Sequence, residues 1–181
     1  MKQVHGREVV VVRRGGAPHG TTQNSGSDVF EADVLVSDDP DRAVLVHVAD
    51  CVPLLIADRR TGVVAAAHAG WRGTAAGVAN AAVDSLGREW GSHSEDLVAA
   101  IGPSIGPCCY EVGTDVVDMF AAAGHPRPLI DRWFQMRQPL HGESKRPSLR
   151  LDLPGANRDQ LILAGVPEAQ IHVAGLCTAT V

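Results

Sequence analysis

Three side chains of this sequence have the chemistry to hold one metal ion between them. Cys51, in Ala49-Asp50-Cys51-Val52-Pro53, sets a soft thiol beside a carboxylate where an apolar run begins. His68, in Ala67-His68-Ala69-Gly70-Trp71-Arg72-Gly73, sets an imidazole at the end of another apolar run, just before a Gly-rich turn. Thiolate and imidazole are two of the three protein ligands that a catalytic zinc takes, the fourth position staying open. The third is His5, in Val4-His5-Gly6, also beside a glycine. Such a set argues for an enzyme.

Two neighbours extend the chemistry. Asp50 is a candidate for proton transfer or for steering a ligand, because a carboxylate at a strand entrance needs a partner. Arg72 stands where a helix is expected to start, and a guanidinium beside free helix N–H groups makes an anion site. A surface salt bridge is the plainer alternative for Arg72. Taken singly, Cys51 reads as a small buried hydrophobe and His68 as a satisfied core histidine. Together, and with Asp50 and Arg72 beside them, they read as a site.

The remaining chemical residues carry less. Gly102-Pro103-Ser104-Ile105-Gly106-Pro107 lacks the Gly-Lys-Ser/Thr of a phosphate loop, and either lends backbone N–H groups to a substrate or simply turns the chain. Cys108 or Cys109 could serve as a nucleophile, but nothing nearby in sequence identifies a base, so packing is the favoured reading. His47 is a support residue at best. His19, His93, His125, His141 and His172 fall in loops or at element ends and read as ordinary surface or packing histidines.

To bring Cys51 and His68 together, the chain needs two adjacent strands. Val52 to Ala57 and Val63 to Ala67 are short apolar runs, and the turn Asp58-Arg59-Arg60-Thr61-Gly62 between them reads as a hairpin. Further strands are expected at 8–13, 33–37, 43–48, 97–101 and 171–174, the runs together reading as a largely buried sheet. Helices are expected at 74–86, 112–123 and 155–164. Gly15 to Asp28 reads as a flexible loop and Pro126 to Pro147 as irregular. No repeat or linker divides the chain.

Composition sets the outer bounds. At 181 residues there is room for one domain with a real core. The net charge of −5 gives no basic surface for a nucleic-acid backbone. No apolar run reaches membrane-spanning length and no signal-peptide core is evident, so the expectation is a cytoplasmic protein without a membrane partner. Four cysteines without a C-x-x-C pair suit neither a disulfide framework nor a zinc ribbon.

Five segments in this order carry a family resemblance: Val4-His5-Gly6, Ala32-Asp33-Val34-Leu35-Val36, Ala49-Asp50-Cys51-Val52-Pro53, His68-Ala69-Gly70-Trp71-Arg72-Gly73 and the 102–107 turn. The chain resembles YfiH-like proteins, also called laccase-domain or polyphenol-oxidase-domain proteins, over about residues 3 to 177. The 17-residue interval from Cys51 to His68 fits that family. The resemblance implies an α+β fold, a four-layer α/β/β/α arrangement of mixed sheets. It also implies a metal held by His5, Cys51 and His68, zinc in the first place with copper as the other candidate. By the same resemblance the partners are a purine nucleoside (adenosine, inosine, guanosine or methylthioadenosine) and phosphate. The implied reactions are phosphorolysis and adenosine deamination, with Asp50 and Arg72 catalytic and Arg72 on the phosphate. Either a monomer or a homodimer is compatible. The expected domain is a single one over 1–181, short of the family's terminal segments: His5 follows only four residues, and no Ser-x-Arg-Arg-Asp segment closes the sequence.

Two other activities use the same residues. A multicopper oxidase needs many paired histidines, whereas this chain has 8 and no His-x-His. A blue-copper site would further need Met1, Met119 or Met136 as an axial ligand, none of them near the ligands in sequence. A cysteine hydrolase, such as one acting in peptidoglycan editing, would use Cys51 as nucleophile and His68 as base. Metal content separates these readings.

Overall fold

The computed structural model describes residues 1–20, 29–138 and 147–180. Its centre is a seven-stranded mixed sheet in the order β2-β1-β3-β5-β4-β6-β9. The members are β1 (Val9–Val12), β2 (His19–Gly20), β3 (Val34–Ser37), β4 (Val52–Asp58), β5 (Val64–Ala69), β6 (Leu97–Ile101) and β9 (Ile171–Val173). β1 lies parallel to β3 and β6 parallel to β9; the other pairs are antiparallel. A two-stranded ribbon, β7 (Phe134–Arg137) with β8 (Ser148–Leu151), stands apart. The helices are α1 (Trp71–Ala75), α2 (Val78–Trp90), α3 (Thr114–Ala122), α4 (Arg127–Trp133) and α5 (Leu153–Leu163).

The β4–β5 hairpin forms as the sequence leads one to expect. Asp58 Oδ1 accepts the N–H groups of Arg60 and Thr61 at 2.7 and 3.1 Å, and Gly62 takes φ +77°, a left-handed turn that glycine adopts freely. One face of the sheet is sealed. Leu54 and Ile56 of β4, Ala65 and Ala67 of β5 and Leu97, Ala99 and Ile101 of β6 are buried with Val78, Ala79, Ala82, Val83 and Leu86 of α2. That spacing on α2 is one helical stripe. The small residues of β5 let α2 lie close to the sheet.

The opposite face is open. Leu55 is 52 % exposed, and the alternate residues of β4 and β6, including Ala57 and Ala100, line a shallow apolar groove with Val44 and His172. The runs in these strands lack polar residues, so periodicity predicts a sheet covered on both sides; the described residues cover one.

Three other expectations change. Residues 43–48 pair in no strand of the sheet and lie mostly exposed. The helix expected at 74–86 is two helices, broken at Gly77 with φ +83°. The segment after Pro126 is not irregular: Pro126 caps α4, which ends on the fully buried Trp133, and β7 follows directly. The rest of that segment, at 139–146, lies outside the described residues, as do His141 and residues 21–28 of the expected loop. Among the described residues, no helix is long and apolar enough to cross a membrane.

A candidate metal centre at the strand ends

Register brings the ligands together. Val34 pairs with Ala67, so Asp33 falls opposite His68, and the His68 N–H donates to the Asp33 carbonyl at 2.8 Å. On the other side Val52 pairs with Ala69, which sets Cys51 across from Gly70. His68 therefore sits inside β5, one residue from its end. His5 arrives along a third path: the Lys2 N–H donates to the Phe30 carbonyl at 2.8 Å and the Ala32 N–H to the Lys2 carbonyl at 3.0 Å, which lays the N-terminal segment beside the entry to β3.

One buried carboxylate organises all of this. Asp33 accepts the backbone N–H groups of Val4 (3.2 Å), His5 (3.0 Å) and Gly6 (2.6 Å), and its Oδ1 meets His68 Nδ1 at 2.8 Å. Three successive N–H groups reach one carboxylate only because His5 takes φ +61°, the left-handed region. Burial would raise the Asp33 carboxyl, but the His68 contact and the N–H groups of Gly6, Val4 and His5 outweigh it and hold the group below the usual carboxylate range. The same contact with Asp33, followed by one with Cys51, raises His68 to about 9 in the metal-free fold.

The ligand atoms of His5, Cys51 and His68 lie within 4.8 Å of one another, and the two imidazole rings meet edge to face with centroids 4.7 Å apart. Donors bound to one ion at about 2.0–2.3 Å must approach each other this closely, so the set fits a metal. With Nδ1 turned to Asp33, His68 presents Nε2 to that ion, and a carboxylate behind a ligating imidazole fixes its orientation. Gly70 closes the site from above. A Cβ there would stand 2.9 Å from the His5 ring and 3.0 Å from Cys51 Sγ, so only glycine leaves both ligands their place. Gly73 does the same for the His5 loop, its missing Cβ standing 2.7 Å from the Gly6 carbonyl oxygen.

Around the mouth lie the other expected residues. Asp50 has φ +71°, its carbonyl accepts the Ile105 N–H at 2.8 Å, and its carboxylate accepts the Thr178 hydroxyl. Arg72 is exposed and lies over its neighbour Trp71, 4.3 Å from the ring centroid. α1 itself is pinned by buried amides of α5, Asn157 reaching the Thr74 hydroxyl at 3.0 Å and Gln160 the Thr74 carbonyl at 2.8 Å. His47, whose backbone is bonded in both directions to the Gln3 side chain, lines the ligand cleft with Gln3, Val48 and Ala49.

Sequence reasoning gave no role to Asp33 or Tyr110. Tyr110 is half-buried, and burial raises its hydroxyl above the ordinary value; the negative charges of Cys51 and Asp50 add to this and Arg72 opposes it. It feels all three groups and so belongs to the same mouth. Asp33 had one available signal, a carboxylate at the entry of an apolar strand, the very signal used for Asp50. His125 is a packing residue, bonded to the Ala75 carbonyl at 2.9 Å and stacked among Phe120 and Trp133. Cys108 and Cys109 lie against Cys177. The Cys177 thiol is drawn down to about 6, first by the Gly106 N–H, and that of Cys109 is pushed up to about 11, first by its bond with Cys108.

Comparison with known proteins places this geometry in context. Residues 1–181 match the family described as multi-copper polyphenol oxidoreductase laccase. The chain is 37% identical over 179 residues to purine nucleoside phosphorylase YlmD of Geobacillus stearothermophilus, covering 98% of this chain and 61% of that protein. It is 38% identical over 146 residues to a purine nucleoside phosphorylase of Bacteroides thetaiotaomicron, covering 81% of this chain and 51% of that one. An adenosine deaminase, RL5, from an unknown prokaryotic organism is 40% identical over 133 residues, covering 74% of this chain and 47% of that one. Among solved structures, the YfiH protein of Bacillus licheniformis superposes with a TM-score of 0.78 at 33% identity, over 98% of this chain and 62% of that one. The chain thus spans about half to six-tenths of the length of the curated relatives it matches.

Proposed function

The chain belongs to the YfiH- and YlmD-like laccase-domain family, and from that premise we propose that it is a zinc-dependent purine nucleoside phosphorylase that also deaminates adenosine. The observation that carries the reading is the meeting of His5, Cys51 and His68 with Asp33 behind them. Two imidazoles and one thiolate suit zinc with an open position. Bound there, zinc would supply a Lewis acid for a substrate group or a water.

The chain's own residues account for the remaining chemistry. In phosphorolysis a phosphate oxygen bonds to the anomeric carbon of the sugar while the glycosidic C–N bond breaks, its electron pair leaving with the purine. Arg72, exposed at the mouth, binds and orients the phosphate. Tyr110, kept protonated by its surroundings, donates a hydrogen bond at the mouth and supplies the proton that the leaving purine needs. In deamination water adds to the purine ring carbon and ammonia leaves; Asp50, steadied by Thr178, takes the proton from water. The substrates are adenosine, inosine, guanosine and methylthioadenosine. The open apolar face around Leu55 also suits cover by a second sheet, which supports the four-layer arrangement for the whole fold.

A second reading draws on one specific contact. Cys51, His68 and Asp33 stand in the order of a nucleophile, its base and the group that orients the base. A cysteine hydrolase would use that line without a metal. Copper oxidation has less support: Met1, Met119 and Met136 are all absent from the cleft lining, and Met136 is 65 % exposed.

The deciding experiment is metal analysis together with two assays on Arg72→Ala. Wild-type protein is expected to hold zinc that chelation removes together with activity. Removing the Arg72 contact should weaken phosphate binding by about ten- to a hundredfold, with zinc content unchanged and deamination less affected. Equal loss of both activities would make Arg72 structural. Rapid alkylation of Cys51 in the metal-loaded protein would favour the hydrolase instead.

A further inference from the structure

Beyond the His5–Cys51–His68 site, the fold gathers three more ligand atoms of a different kind. The Sγ atoms of Cys108, Cys109 and Cys177 lie within 4.8 Å of one another, and none of these cysteines is in a disulfide. They come from two distant segments that the backbone clamps together. Ser104 donates to the Leu176 carbonyl at 3.2 Å, and Thr178 donates back to Ser104 at 3.1 Å. The N–H groups of Cys109 and Tyr110 both fold onto the Gly106 carbonyl, at 3.0 and 2.9 Å, which curls the adjacent thiols toward Cys177.

The turn itself leaves room for sulfur. Gly106 donates its N–H to Cys177 Sγ at 3.3 Å, the kind of contact that favours a thiolate. A Cβ on Gly106 would stand 3.4 Å from Cys108 Sγ and 3.6 Å from Cys177 Sγ, against both sulfurs. Cys108 and Cys177 also line a cleft of about 370 Å³ together with Arg137 and Arg158. That cleft is an entry path; Arg158 in it is paired with Glu168 and Asp159, and Asp152 also lines it.

We propose that Cys108, Cys109 and Cys177 form a second metal site, specific for a soft d10 cation and for copper(I) above zinc. Soft thiolates select soft ions. With metal–sulfur bonds of about 2.3 Å, three sulfurs around one ion stand roughly 4 Å apart, within the separation found here. Among the described residues no histidine or carboxylate joins the three thiols. Copper(I) is content with three sulfurs, whereas zinc seeks a fourth ligand. Binding releases the thiol protons to solvent and transfers no electron. The site does not depend on the catalytic reading above, since it shares no ligand with it.

The test is anaerobic titration of the full, reduced chain with copper(I) against a copper(I)-specific chelator, following the thiolate-to-copper charge-transfer absorbance. Cys51→Ala removes a ligand of the first site and is expected to keep one tightly bound copper(I) per chain. Adding Cys177→Ser or Cys108→Ser to that background should weaken binding by about a hundredfold or more, with an unchanged circular dichroism spectrum showing that the fold survives. Undiminished copper(I) binding in both double variants would overturn the proposal. So would no uptake by the reduced Cys51→Ala chain, as for a group that only cycles between thiols and a disulfide. Tighter binding of zinc than of copper(I) at these thiols would overturn the choice of ion.

Discussion

At the first cluster a buried carboxylate does the gathering: Asp33 holds the His5 loop by three N–H groups and the His68 ring by its Nδ1. At the second cluster, among the described residues, no buried carboxylate plays that part: backbone hydrogen bonds do most of the gathering, the Arg150 guanidinium donates to the Cys108 carbonyl at 3.4 Å, and the Gly106 N–H donates to Cys177 Sγ. Two imidazoles and one thiol meet where the His5 loop reaches the ends of β4 and β5 in one case, three thiols meet at a turn and the 177 segment in the other. The difference teaches that the site with imidazoles has a carboxylate organiser and the all-thiol site does without one. The imidazole site needs a fixed tautomer and so a carboxylate behind it, whereas a thiolate has no orientation to fix.

Removing the organiser should have the largest effect. Asp33→Ala leaves three N–H groups and an imidazole without their partner, and is expected to cost about 3–5 kcal/mol of stability and to empty the first site. Denaturant unfolding and elemental analysis would check this. A variant of wild-type stability that still holds its metal would break the contrast between the two clusters.

A pair of glycine substitutions sharpens the same contrast. Gly70→Ala places a methyl 2.9 Å from the His5 ring and 3.0 Å from Cys51 Sγ, while Gly106→Ala meets its sulfurs at 3.4 and 3.6 Å. The first should lower metal affinity at the histidine site by about ten- to a hundredfold without unfolding the chain, because Gly70 has an ordinary φ of −72°. The second should change copper(I) affinity by no more than a fewfold. Equal losses in the two variants would show that the histidine site is no more rigid than the thiol site.

The smallest effect is a pH slope. His68 is raised from 6.5 to about 9 without metal, so a bound ion must displace its proton. Affinity at the first site should climb about tenfold per pH unit for each proton released and should lose the His68 contribution to that slope above about 9. The stability of the metal-free chain runs the other way. The contribution of His68 is present below the ordinary histidine range and is lost as pH rises through about 9, while that of Asp33 is lost as pH falls below the ordinary carboxylate value. Titrations across this range in a non-chelating buffer would show it. A flat profile would mean that His68 is not a ligand.

How far the sequence could be read differs from one element to the next. β4, β5 and their turn were legible, because apolar runs bounded by Asp58 and Gly62 leave few alternatives. α4 was hidden: its burial rests on Trp133 and Ile130 packing against partners far away in the chain. Residues 43–48 look like a strand by composition yet pair with none of the described strands. The open face behind Leu55 could not be foreseen, since an apolar run does not say which of its sides the same chain will cover.

Residue types and local spacing alone nominated His5, Cys51 and His68, because thiol and imidazole beside glycine turns are chemically distinctive wherever they fold. Periodicity alone set most strands and helices, since alternation and helical stripes are local properties. The tertiary structure decided the rest. It put Asp33 behind His68 by the register of β3 on β5, turned His5 into a left-handed conformation so that three N–H groups reach one carboxylate, and drew Cys177 onto Cys108. Each of these depends on hydrogen bonds between segments remote in sequence, and no local pattern of side chains encodes such a meeting.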